Sequence, residues 1–70
     1  MQKRQVVVYR GEDGFWVAEC LSLPGTISQG ATQAEALYNI EEAIILMLET
    51  LHAYGDPIPE DHLDAVLVAI

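Results

Sequence analysis

The chain is poorest in positive charge. Lys3, Arg4 and Arg10 are its whole supply, and from Gly11 to Ile70 there is no Lys or Arg. Eleven Asp and Glu stand against them, for a net charge of −8. Phosphate contacts need cations, so nucleic acid is not expected as a direct ligand. The same shortage argues against an anionic membrane surface. What remains is a basic partner, or simply a solvated acidic surface. Cysteine is nearly missing too. The lone Cys20 excludes an internal disulfide. Cys20, His52 and His62 are too few and too scattered for a structural zinc site. A chain of 70 residues makes one domain with a modest core, and such domains often need a staple. With disulfide and metal gone, self-association is the staple left, and a hydrophobic content of 51% provides the surface for it. We therefore expect a homodimer or a higher homo-oligomer. Long apolar runs are also missing. Ala43 to Leu48 is far below membrane-spanning length, and the run that comes after Lys3 and Arg4 is short and broken at Arg10. A cytoplasmic protein with no membrane partner is expected.

What is present reads as alternating structure signals. Residues 5–10, QVVVYR, are β-rich, and so are residues 15–20, FWVAEC. Between them Gly11 to Gly14 form a turn cluster, which makes the pair a hairpin. Pro24 and Gly25 mark a second turn, with Gly25 a candidate for positive φ. Residues 26–29 form a short third strand closed by Gly30. Thr32 to Glu35 is a capping box, in which the threonine hydroxyl accepts from the N3 amide and Glu35 reaches back to the Thr32 amide. The spacing predicts a helix over 33–54, with Leu37, Ile40, Ile44, Met47, Leu48 and Leu51 in one stripe. Gly55 is a natural stop, and Pro57 and Pro59 forbid continuation. At roughly 33 Å this helix would overhang strands of about 17–20 Å. Residues 64–69 read as a fourth strand, with a short helix as the alternative. The fold class expected is α+β, an antiparallel sheet β-β-β-α-β with the helix on one face.

One helix covers only one face of a sheet. In strand one, Val6 and Val8 point one way, Val7 and Tyr9 the other. In strand two, Phe15 and Val17 oppose Trp16 and Ala18. One sheet face or edge is therefore left apolar and uncovered, the mark of an interaction surface. Glu35, Glu42 and Glu49 line the outer face of the helix with Leu46 among them. That pattern reads as a solvated face, or as an acidic stripe for a basic partner.

Catalytic readings fare worse. A two-metal nuclease needs several converging carboxylates. Asp13, Glu19, Glu41 and Glu42 can be nominated, yet no spacing singles them out. Glu41 and Glu42, adjacent on a helix, point about 100° apart. Cys20 beside an apolar strand is a small buried hydrophobe rather than a nucleophile. His52 suits the negative end of the helix dipole. No glycine-rich phosphate loop, cofactor site or metal site is expected, and no enzyme.

The order of motifs nevertheless points to a family. Gly14 to Glu19 read GFWVAE, followed by Leu23-Pro24-Gly25, then Gln29-Gly30-Ala31-Thr32. Glu35-Ala36-Leu37, Asn39, Glu42-Ala43-Ile44, Gly55 and Ile58-Pro59 complete the series. This set, with Val6 to Tyr9, resembles the HicB antitoxin family, in particular its small standalone HicB-like members. The resemblance implies a partial RNase H-like fold without retained nuclease activity. It implies a HicA-type partner, a small basic toxin that cleaves mRNA, neutralised by protein–protein contact. It also implies HicB dimers or higher assemblies. The chain departs from the pattern in having Thr26 where the family often has cysteine after Pro-Gly, a change expected to affect packing. No C-terminal DNA-binding segment is expected, and direct DNA binding is not carried over from the family. The acidic residues Asp13, Glu19, Glu41 and Glu42 are the expected partner-binding rim. Gly14, Pro24, Gly25, Gly30, Thr32, Glu35, Gly55 and Pro59 are the expected structural set. The alternative function is a standalone oligomeric scaffold or regulatory domain of the same fold.

Overall fold

The computed structural model describes residues 4–61. The strand expected over 64–69, and His62, lie outside the described residues. Three strands come first, β1 (Val7–Arg10), β2 (Trp16–Glu19) and β3 (Ile27–Gly30), then one helix, α1 (Gln33–Ala53). They form an antiparallel sheet in the order β1-β2-β3. The protein is α+β, and the order β-β-β-α fits the expectation drawn from the resemblance.

Each connection reflects local chemistry. Gly11 donates to the Phe15 carbonyl (2.7 Å) and Gly14 to the Gly11 carbonyl (3.2 Å). Asp13 Oδ1 accepts from the Phe15 amide (3.1 Å), which holds the hairpin loop. The register then pairs Arg10 with Trp16 and Val8 with Ala18. Leu23 to Thr26 form the second turn. The Thr26 amide donates to the Leu23 carbonyl (3.0 Å), Pro24 takes the second position, and Gly25 sits at φ 85°. That is the signature of a type II turn, which needs positive φ at its third residue.

Thr32 caps the helix, its Oγ1 accepting from the Glu35 amide at 3.1 Å. The return arm differs from expectation. Glu35 Oε1 accepts from the amide of Ala31 (3.3 Å), one residue before Thr32. The cap still occupies a donor at the chain's entry to the helix, so the purpose of the box survives the shift. At the other end Gly55 (φ 69°) closes a Schellman motif. Asp56 donates to the Leu51 carbonyl (2.9 Å) and Gly55 to the His52 carbonyl (3.1 Å). Pro57 and Pro59 lie beyond it in non-helical chain.

The core is small. Ala18, Ala36 and Ile40 are buried together, with Val6, Val8, Trp16, Ala43 and Ile44 packed against them. Full burial of Ile40 contributes about 1.5–3 kcal/mol, and truncating it to alanine would cost about 2–5 kcal/mol. The helix lies mainly over β3, less over β2 and least over β1. Small residues let it approach. A Cβ on Gly30 would fall 2.6 Å from the Ala36 amide nitrogen.

This close approach rotates the buried stripe. Leu37, expected in the core, is 37% exposed, while Ala36 is fully buried. Met47, Leu48 and Leu51 are only half-buried. Strands of four residues span about 13 Å, whereas 21 helical residues span about 32 Å. The second half of α1 therefore runs past the strands.

Candidate protein-interaction surface

The pleat sorts the sheet's side chains. Val8, Trp16 and Ala18 face the helix. Their neighbours Val7, Tyr9, Val17, Glu19, Ile27 and Gln29 consequently share the opposite face, in the register Val7–Glu19–Ile27 and Tyr9–Val17–Gln29. This open face is mostly apolar. Ile27 is 53% exposed and Tyr9 44%, and exposed Phe15 and Leu21 lie at its rim. A shallow cleft at one end is lined by Glu19, Leu21, Pro24, Thr26 and Ile27 among others. The Tyr9 phenol is held above its ordinary pKa, first by desolvation on this face, then by its hydrogen bond to Glu19 and by that carboxylate's charge.

The helix offers a second surface. Tyr38, Ile45 and Leu46 are 62%, 56% and 65% exposed, and Glu42 and Glu49 are exposed between them. At 100° per residue these five lie within an arc of about 100°. Neither carboxylate makes an ion pair with a described residue. The two arginines among the described residues are engaged elsewhere. Arg10 stacks on the Trp16 ring, 5.5 Å from its centroid, and donates to the Gly14 carbonyl (3.3 Å). Arg4 donates to Ser22 Oγ (3.1 Å).

The four acidic residues nominated from sequence are placed on different elements. Asp13 sits in the hairpin loop, bound to a backbone amide. Glu19 lies on the sheet face that the helix does not cover, while Glu41 and Glu42 are exposed on α1. The sheet separates them, because residues 18 and 19 of one strand must point to opposite sides. Of the four, only Glu42 belongs to the mixed acidic and apolar surface. Tyr38 and Ile45 escaped the reading of sequence, although their seven-residue spacing matches that of Glu42 and Glu49. Among the described residues no three His, Cys, Asp or Glu side chains converge as metal ligands, and no helix is long and apolar enough to cross a membrane. Cys20 is free and buried, with Sγ 3.5 Å from Ser22 Oγ.

A polar clamp was also out of reach of sequence reasoning. Asp61 Oδ2 accepts from the Gln5 amide (2.8 Å), and Asp61 Oδ1 accepts from Ser22 Oγ (2.7 Å). Residues from the start of the chain, the loop after β2 and the segment after the helix meet there.

No family model matches the chain, and no solved structure matches it. Curated relatives do. UPF0150 protein Ta0767 of Thermoplasma acidophilum is 39% identical over 66 residues, covering 94% of this chain and 96% of its own. UPF0150 protein ssr1765 of Synechocystis is 43% identical over 58 residues, covering 83% and 73%. UPF0150 protein ssr1258, also of Synechocystis, is 40% identical over 50 residues, covering 71% and 72%. The alignment with the Thermoplasma protein takes in nearly the whole of both chains, so the protein belongs to the UPF0150 family.

Proposed function

We propose that this chain is a HicB-like antitoxin domain, which binds a small basic HicA-type toxin and neutralises its mRNA cleavage by covering it. The observation that carries this is the pairing of exposed apolar side chains with carboxylates that no cation among the described residues neutralises, at Tyr38, Glu42, Ile45, Leu46 and Glu49. Apolar area supplies affinity and unneutralised charge supplies steering and choice of partner. The ordered motif set that resembles the HicB family supports the same reading, as does the partial RNase H-like arrangement it implies. In this reading the chain acts in the cytoplasm, does no catalysis and uses no cofactor.

A second reading has its own support. The open sheet face is mostly apolar and carries a single carboxylate, Glu19. It suits a second copy of the chain, so a homodimer or larger homo-oligomer forms through it. An oligomeric scaffold without a toxin partner is the corresponding alternative function.

Size-exclusion chromatography with light scattering separates the two. The chain is run alone and mixed with the small basic protein encoded beside it. A complex that weakens at high salt is the result expected for the antitoxin. A homo-oligomer that ignores the basic protein would leave the scaffold.

A further inference from the structure

An antitoxin could meet its basic partner through either the open sheet face or the helix. We propose that the partner docks on the outer face of α1, and that the docking element is an amphipathic helix with an apolar stripe bordered by Lys or Arg; this assignment rests on the antitoxin reading.

The residues concerned stay largely exposed in the described fold. Tyr38, Ile45 and Leu46 are all more than half exposed. Glu42 and Glu49 are exposed and bond to no described residue, unlike Glu35, which serves the cap, and Asp13, which serves the hairpin. The five residues form a continuous strip. From Tyr38 to Glu49 it runs about 17 Å, long enough for three turns of a facing helix at the usual 8–10 Å separation.

Charge decides the occupant. Covering this strip takes Glu42 and Glu49 out of water, which is unfavourable unless a counter-charge replaces the solvent. The chain has no Lys or Arg beyond Arg10. A second copy docked on its own strip would set carboxylate against carboxylate. A facing helix with Lys or Arg on either side of an apolar stripe satisfies both demands. It places aliphatic side chains on Tyr38, Ile45 and Leu46 and cations beside Glu42 and Glu49, as flanking charges do in paired helices. The open sheet face offers such a partner less, since it carries a single carboxylate, Glu19, where the strip carries two.

The test is a heteronuclear NMR titration of the full chain with a synthetic amphipathic Leu/Lys peptide of about 18 residues. A Leu/Glu peptide of the same pattern is the control. Amide shifts clustered from Tyr38 to Glu49, weakening with salt, are expected from the Leu/Lys peptide only. The double variant Glu42→Lys/Glu49→Lys should lower its affinity at least about tenfold while leaving the unfolding midpoint in place. Ile27→Ser on the open face should not change it. Shifts centred on Val7, Tyr9, Val17 and Ile27 overturn the proposal, as do equal binding of both peptides and no shift at all. Failure of the antitoxin reading looks different. In that case the Leu/Lys peptide maps to the helix and the small basic protein forms no complex. Conversely, a complex with that protein whose Kd ignores Glu42→Lys/Glu49→Lys removes this surface and keeps the antitoxin.

Discussion

Thr26→Val should make the protein more stable. Thr26 is 5% exposed, and its Oγ1 is buried without a hydrogen-bond partner. Its backbone is satisfied, since the amide donates to the Leu23 carbonyl and the carbonyl accepts from the Cys20 amide, both at 3.0 Å. Only the hydroxyl is orphaned. A buried hydroxyl that loses water and gains nothing costs about 1–3 kcal/mol. Valine has nearly the same shape and the same branching, so it keeps the packing and removes the penalty. We expect a gain of about 1–2 kcal/mol. For a domain of this size each 1 kcal/mol moves the melting temperature by about 4–8 °C. The assay is thermal and urea unfolding followed by circular dichroism, at one fixed protein concentration because self-association would shift the result by mass action. The urea midpoint should rise with the slope unchanged. Thr26→Cys, which restores the residue the HicB resemblance leads one to expect, should also gain, and Thr26→Ser should lose. A valine variant equal to or less stable than the parent would refute the reasoning. It would show that the hydroxyl is satisfied in solution.

Three further results are expected. Thr32→Ala removes the acceptor for the Glu35 amide and should cost about 1 kcal/mol; unchanged stability in urea titration would mean that this cap does not hold the helix end. Gly30→Ala would place a methyl 2.6 Å from the Ala36 amide nitrogen and 2.8 Å from Glu35 Cβ, so it should cost about 1–3 kcal/mol and loosen the helix on β3. A melting temperature within error of the parent would contradict that packing. Tyr9 should titrate above an ordinary phenol, whose pKa is about 10. The folded state then holds this proton more tightly than the unfolded chain does. Its contribution to stability is complete below the ordinary phenol pKa and is lost as pH rises through the folded value. Phenolate absorbance, with Tyr9→Phe as the difference reference, should show the titration moving back toward the ordinary value in Glu19→Gln. A curve that ignores that substitution would remove Glu19 as a cause.

Sequence by itself determined what depends on a few neighbouring residues. Thr32 and Glu35 announced the helix start, Gly55 and the prolines its end, and Pro24-Gly25 the turn with positive φ. These are backbone preferences and short hydrogen bonds, written into adjacent side chains. The alternation of Val6 and Val8 against Val7 and Tyr9 likewise told the two sheet faces apart, because the pleat has a period of two.

The tertiary structure alone decided what those faces meet. Large side chains suggested a stripe through Leu37, yet the helix settles on Ala36 and Ile40 because Gly30 and Ala18 allow a closer approach there. The placement of the acidic residues was decided in the same way. Glu19 and Glu42 lie on opposite sides of a sheet whose thickness no spacing along the chain records, and Asp13 sits in the hairpin loop. Thr26 lost its hydroxyl partner, and Asp61 gained Gln5 and Ser22, through contacts between residues far apart in the chain. Local chemistry sets which elements form. Which side chains end up buried, bonded or left for a partner is decided by how closely those elements can pack.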